Sequence, residues 1–332
     1  MRMRILVMFL TGVSALMAQT TNLLQPQPVG RLVDIGGRKL HLDCIGLGNP
    51  TVVLVHGTGA FSFDWGLVQP KVGTFGRVCS YDRAGNAWSD PVSTPQTFRE
   101  MADGLHTLMR NAGETGPFVL VGHSGGGELV RVFAAAWPDD IGGAVLVDTG
   151  HPDALSIING RLVRRTAENL IDLQPPVKSG DSAPQPTPVP ARVEKIEPPY
   201  DKLPLEDQRF RLWAVSNGKV PPSGAKAEVE SIQELRAAHE RGDALFGDKP
   251  LVVISRSTGG YRPIRGIVSQ EQADLMERER IEHNRDLLKL SRSSKAIEAD
   301  KSGHDIHLDQ PELVIESIRA VRDAIRSHSH LN

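Results

Sequence analysis

The chain is poor in several things that would have pointed elsewhere. Its 332 residues contain only two cysteines, Cys44 and Cys79, with no CxxC and no His/Cys cluster at metal-ligand spacing. A zinc ribbon, a finger or a thioredoxin-like redox motif is therefore excluded as an organising principle. Lys and Arg number 38 against 40 Asp and Glu, the formal net charge is −2, and no basic run is long enough to track a polyanion. Nucleic acid is not an expected partner. The longest apolar run, Ile5 to Ala18, is about 14 residues, short of the ~20 that span a bilayer as a helix, so no stable membrane span is expected. No internal repeat is visible, and oligomeric state is not legible.

What is present fits a globular protein with a sizeable core: 39% hydrophobic and 23% charged residues. Arg2 and Arg4 ahead of the apolar run, with Ala18-Gln19 as a small-residue cleavage point, read as a signal peptide over residues 1–18. Export would place the mature chain in a secreted or periplasmic, oxidising environment.

Beyond that leader, short apolar runs alternate with helical patterns. Residues 31–36 and 39–45 read as a strand pair broken at Gly36-Gly37. Thr51–Val55, Val78–Tyr81, Phe118–Val121, Ala144–Val147 and Leu251–Ile254 follow as buried strands. Phe98, Met101, Ala102, Leu105 and Leu108 recur at helical spacing behind Thr97, and Pro311 opens an amphipathic helix through Val314, Ile318, Val321 and Ile325. Such alternation implies a mostly parallel sheet covered on both faces. Residues 152–248 interrupt the rhythm and read as an inserted lid between core segments 30–151 and 249–327. Within it, 174–204 holds nine of the 23 prolines, while Leu155–Leu162, Phe210–Trp213 and Ala225–His239 read as short helices.

The chemistry concentrates at strand ends. Gly122-His123-Ser124-Gly125-Gly126, between an apolar strand and a helix without early breakers, has the form of a nucleophile elbow. Ser124 is then the nucleophile. The N–H groups of Gly125 and of Thr58, in the His56-Gly57-Thr58-Gly59 turn, are the oxyanion donors that a tetrahedral intermediate needs. A general base late in the chain is supplied by His304, behind Ser302-Gly303, with His307 as the competing choice. For the acid, the run after Leu251–Ile254 offers Ser255-Arg256-Ser257-Thr258-Gly259 and no carboxylate before Glu271. Asp148, directly after the preceding strand, is the assigned acid; Asp153, Glu271 and Asp274 are the alternatives. Asp82-Arg83 is set aside as a structural ion pair, and Glu271–Arg285 as a solvated helical face.

Together these residues resemble the α/β-hydrolase superfamily, through TVVLVHGTG, YDRAGNAWSD, GPFVLVGHSGGG, AVLVDTGHPD and SGHDIHLDQPELV, in the order that family requires. The resemblance implies an eight-stranded, mostly parallel sheet with an antiparallel second strand, helices on both faces, and a cap inserted after the sixth strand. It carries the roles of nucleophile to Ser124, base to His304 and oxyanion hole to Gly125 with the Thr58 region. The usual acid position after the seventh strand is empty here. Haloalkane dehalogenases place their acid where Asp148 stands, but their nucleophile, like that of epoxide hydrolases, is an aspartate. The expected activity is therefore cleavage of a carboxylic ester or related acyl bond through an acyl-enzyme, without a cofactor or metal. Lactones, amides or an acyl acceptor other than water are alternatives on the same triad, and a non-catalytic binding protein is the rival of a different class. In the family's strand order Cys44 and Cys79 fall on neighbouring strands, so a disulfide and two buried thiols are equally compatible with the sequence.

Overall fold

Runs such as Val52-Val53-Leu54-Val55 are buried on both faces, as central parallel strands must be. In the computed structural model, which describes residues 25–158, 161–166, 169, 195–257 and 260–331, such runs assemble ten strands. They are β1 Arg31–Asp34, β2 Lys39–Ile45, β3 Val52–Val55, β4 Val78–Tyr81, β5 Phe118–His123, β6 Ile141–Val147, β7 Leu155–Ile158, β8 Arg161–Arg164, β9 Pro250–Arg256 and β10 Ser293–Ala299. Eight form one sheet in the order β1-β2-β4-β3-β5-β6-β9-β10. β2 is antiparallel to both neighbours and the remaining pairs are parallel. This is the α/β-hydrolase sheet expected from the sequence. The signal-peptide reading of 1–18 and most of the proline-rich segment 174–204 lie outside the described residues.

The α-helices named among the described residues are α1 Gln69–Gly73, α2 Phe98–Asn111, α3 Gly125–Ala136, α4 Leu205–Ser216, α5 Ala225–His239, α6 Gln270–Leu287, α7 Ile306–Asp309 and α8 Pro311–Ser327. α2 starts where Thr97 and Glu100 cap each other's backbone N–H groups. Its Ala102, Leu105, Leu108 and Met109 join Leu129 to Ala134 of α3 on one face of the sheet. Val314, Ile318 and Val321 of α8 cover the other, with Val72 of α1.

Two features of the segment between β6 and β9 depart from the sequence reading. Leu155–Leu162 is a β-hairpin rather than a helix: β7 and β8 pair antiparallel, Leu155 opposite Arg164. Leu155 and Leu162 pack against Val268, Ala273 and Met276, and that apolar contact across the chain overrides a weak local preference. α4 and α5 do form where helices were expected, but α5 turns back onto the main core, where Leu235 and Ala238 are buried with α2 and α3. At the other edge, Cys44 and Cys79 stand opposite each other on β2 and β4 and are joined as a disulfide.

The chain runs from β3 outward to β4 and then returns to the other side of β3 for β5. Connections leaving β3 and β5 thus diverge at the carboxyl ends of adjacent strands, which opens a crevice there. The crevice is where the sequence put both the His56–Gly59 turn and the Ser124 elbow.

Candidate active site

Ser124 follows β5 with φ 52° and ψ −124° and is the residue before α3. A non-glycine residue in that region costs ~1–3 kcal/mol and survives only where its surroundings enforce it. Here they do: the Ser124 N–H donates to the Val147 carbonyl at 3.0 Å, and its own carbonyl accepts from the Thr149 hydroxyl at 2.8 Å and the Gly127 N–H at 3.0 Å. The flanking glycines are sterically required. A methyl group on Gly122 would lie 2.5 Å from Gly127 Cα, and one on Gly126 would lie 2.2 Å from the Val55 carbonyl oxygen. The β3 turn crosses directly over the elbow, for a methyl group on Gly57 would sit 3.2 Å from Ser124 Cβ and one on Gly125 would sit 2.6 Å from Thr58 Oγ1. Gly125 and Thr58, the two residues expected to supply oxyanion donors, are therefore neighbours across the crevice.

His304 and Asp148, 156 residues apart, meet with His304 Nδ1 2.6 Å from Asp148 Oδ2. Asp148 is buried and His304 has a half-exposed side chain. Adjacent strands fix the carboxylate. β6 and β9 pair through Val147 and Ile254, the Asp148 N–H donates to the Ile254 carbonyl at 2.8 Å, and the Arg256 N–H donates to Oδ1 at 3.3 Å. Arg256 also forms a short ion pair with Oδ2. Burial alone would raise the Asp148 carboxyl, but the His304 hydrogen bond and the Arg256 charge outweigh it and hold the group down at about 2. It is ionised throughout the neutral range, as the partner of an imidazolium must be. The strand end that lacks a carboxylate thus carries the cation that fixes the carboxylate next door.

The competing residues fall elsewhere. His307 is 2% exposed, packed against Trp65 and His123 at centroid distances of 4.8 and 4.4 Å. Burial pushes its imidazole well below the usual histidine range. Asp153 pairs with Arg236 at 2.5 Å, and Glu271 and Asp274 lie in the first turns of α6, where Asp274 accepts from Gln270.

Two sequence readings need correction. Asp82 and Arg83 do not pair with each other, because successive residues leaving a strand point to opposite sides. Asp82 accepts from Ser62 and faces His41 at 2.8 Å. Arg83, buried, donates to the carbonyls of His56 at 2.6 Å and Gly57 at 2.7 Å, which braces the turn carrying Thr58. Nor is α6 merely a solvated face: Glu279 pairs with Arg164 of β8, and Asp286 reaches His151 and His239.

Three residues that position the site, Arg83, Arg256 and His123, were not assigned roles from sequence. His123 Nε2 donates to the His304 carbonyl at 3.0 Å and so ties the loop of His304 to the strand that leads into Ser124. Burial, reinforced by His304, lowers its imidazole to about 3, so it is neutral. The signal available was only that each sits at the end of an apolar strand. The segment from 195 to 217 closes over the same edge. The Tyr200 hydroxyl donates to Asp305 beside His304, Arg211 of α4 lies 3.3 Å over the Tyr200 ring and pairs with Asp64 at 2.6 Å. Phe210 and Trp213 pack on Phe61, Phe63 and Trp88 of the core. No helix among the described residues is long and apolar enough to cross a membrane.

Comparison with known proteins agrees with this architecture. The chain is 26% identical over 308 residues to the probable transporter efuK of Hormonema carpetanum, which covers 87% of this chain but only 42% of that protein, so the chain spans less than half of that relative's length. It is 25% identical over 300 residues to an AB hydrolase superfamily protein of Gibberella zeae, covering 83% of this chain and 87% of that one. Among solved structures it superposes on a thermophilic esterase from Thermogutta terrifontis with a TM-score of 0.56 at 22% identity, covering 87% and 94% of the two chains. At that identity the likeness speaks for the fold. The model of the alpha/beta hydrolase family matches residues 52–317, from the turn of Thr58 through the loop of His304, and the chain belongs to that family.

Proposed function

We propose that this protein is a serine hydrolase that cleaves a carboxylic ester or related acyl bond, with Ser124 as nucleophile, His304 as general base and Asp148 as the acid that orients it. The observation that carries the reading is the 2.6 Å contact of His304 Nδ1 with Asp148, from a loop that His123 ties to the elbow of Ser124. Asp148 accepts a hydrogen bond from Nδ1–H, which keeps the proton on Nδ1 and leaves Nε2 as the free basic nitrogen. Nε2 removes the Ser124 proton as Oγ attacks the carbonyl carbon, and the Gly125 and Thr58 N–H groups receive the developing oxyanion. The imidazolium then protonates the leaving alcohol. Water, deprotonated by the same nitrogen, releases the acid from the acyl-enzyme.

Residues 152–248 serve as a lid in this reading. Tyr200, Arg211 and Phe210 are its anchors beside the site. The leader at 1–18 directs export, and the Cys44–Cys79 disulfide is compatible with an oxidising compartment.

The test is labelling with a fluorophosphonate, followed by activity on a series of acyl esters of increasing chain length. Ser124 should take the label. Ser124→Ala should lose both label and hydrolysis, by ~10⁴-fold or more, with its circular dichroism unchanged. Labelling that persists at another serine would overturn the assignment.

A further inference from the structure

A second cluster of chemically competent side chains lies outside the proposed catalytic machinery, where both ends of the insertion meet the core. His151 follows β6 by four residues, His239 ends α5, and Asp286 belongs to α6. His151 Nε2 is 3.2 Å from His239 Nε2 and 3.2 Å from Asp286 Oδ2, and His239 Nε2 is 2.7 Å from the same oxygen. Two imidazole nitrogens and a carboxylate oxygen therefore face one point from three separate segments. The contacts span 88, 135 and 47 residues, so no sequence spacing could announce them.

We propose that His151, His239 and Asp286 bind a divalent transition-metal ion of the zinc class. Three donors bonded to tetrahedral zinc at ~2.0–2.1 Å lie roughly 3.3 Å apart. The two 3.2 Å edges match within about 0.1 Å, and the 2.7 Å edge, a hydrogen-bond distance, must lengthen by about 0.6 Å when an ion replaces the shared proton. An ion at bonding distance from all three would sit about 1 Å out of their plane, with a fourth position left for water. Imidazole suits zinc, copper and nickel, and zinc also takes a carboxylate oxygen beside two histidines.

The surroundings hold the donors in place. His283 stacks on His151 at 4.2 Å with the rings nearly parallel, and Lys289 binds the other Asp286 oxygen at 2.7 Å. A metal on Nε2 of His151 puts the ring proton on Nδ1, where the Asp153 carboxylate, at 3.8 Å, is the nearby acceptor. The Asp153 N–H, now 3.1 Å from Nδ1, must then turn away, a local adjustment of that turn. Lys289 and buried Arg131 are cations that oppose the ion, and Glu128, paired with Arg165 at 2.5 Å, offsets Arg131 in part. The ion would pin the insertion to the core at its two ends.

The experiment uses untagged, chelator-treated full-length protein. Zinc binding is measured by isothermal titration calorimetry, and cobalt binding by visible absorption. One equivalent of zinc, with the intense cobalt bands of a four-coordinate site, is expected for the native chain. Asp286→Asn and His239→Gln should each weaken zinc by more than ~100-fold, above the loss typical of an outer-shell partner. His328→Gln/His330→Gln, in the exposed tail, should leave it unchanged. Circular dichroism and fluorophosphonate labelling report that the variants are folded. Absence of stoichiometric binding at micromolar zinc, an octahedral-only cobalt spectrum, or binding untouched by both variants would overturn the proposal and leave a hydrogen-bonded clamp.

Discussion

Replacing Asp148 by asparagine is close to silent in shape, and its consequences come from charge. In the proposed mechanism it removes the anion that fixes the His304 tautomer and stabilises the imidazolium, which lowers turnover by ~10²–10⁴-fold. Sequence alone would expect little change in folding. The structure adds Arg256, 8% exposed, whose guanidinium pairs with the same carboxylate and whose Nε has no hydrogen-bond partner. Removing one member of a buried pair leaves an uncompensated charge and destabilises by ~3–5 kcal/mol. Arg256 keeps a contact with the Tyr261 ring at 5.1 Å, so the lower figure applies: about 3 kcal/mol, or roughly 6 °C in Tm at ~2 °C per kcal/mol.

Arg256→Met in the Asp148→Asn background should recover most of the lost Tm and none of the lost turnover. The pH dependence gives an independent check. The folded Asp148 carboxyl titrates at about 2, below the ~3.9 of an unfolded chain. Its contribution is therefore present above pH ~4 and lost as pH falls toward 2. Thermal melts of native and Asp148→Asn proteins should differ at pH 7 and converge at low pH. Near-normal turnover in the variant would refute the acid assignment, and an unchanged Tm at pH 7 would refute the Arg256 argument.

Other substitutions separate the remaining roles. His304→Gln should abolish ester hydrolysis, whereas His307→Gln should retain it with a lower Tm, since His307 is packed between Trp65 and His123; steady-state kinetics on both variants decide between the two bases. Gly126→Ala drives a methyl group to 2.2 Å from the Val55 carbonyl, so fluorophosphonate labelling should be lost, and labelling at the native rate would contradict the packing of the elbow. The Cys44–Cys79 bridge spans 35 residues, and Cys44→Ser/Cys79→Ser should lose about 3–4 kcal/mol in urea unfolding on the chain-entropy account. Two free thiols in the mass spectrum of unreduced protein would exclude the bond.

The sequence by itself determined the sheet and the candidate nucleophile. Buried β-branched runs fix the strands, and Gly122 and Gly126 are legible because they flank Ser124 within a five-residue pattern, although the contact that requires Gly126, with the Val55 carbonyl, comes from β3. His304 was legible through its place late in the chain, behind Ser302-Gly303. The hairpin at Leu155–Arg164 was not, because short apolar runs are ambiguous until their packing partners, Val268 and Met276, are known. Only the tertiary structure decided how charges are paired. Sequence marked Ser255-Arg256-Ser257 as a place without an acid, but not that Arg256 would hold the acid of the neighbouring strand, because β6 and β9 are brought together across the whole insertion. Arg83 beneath the Thr58 turn, His123 behind His304 and the His151–His239–Asp286 cluster have the same character. Periodicity and turn chemistry act over a few residues and can be read along the chain; hydrogen-bond partners 26 to 181 residues away are set by strand order, and exist only once the sheet is closed.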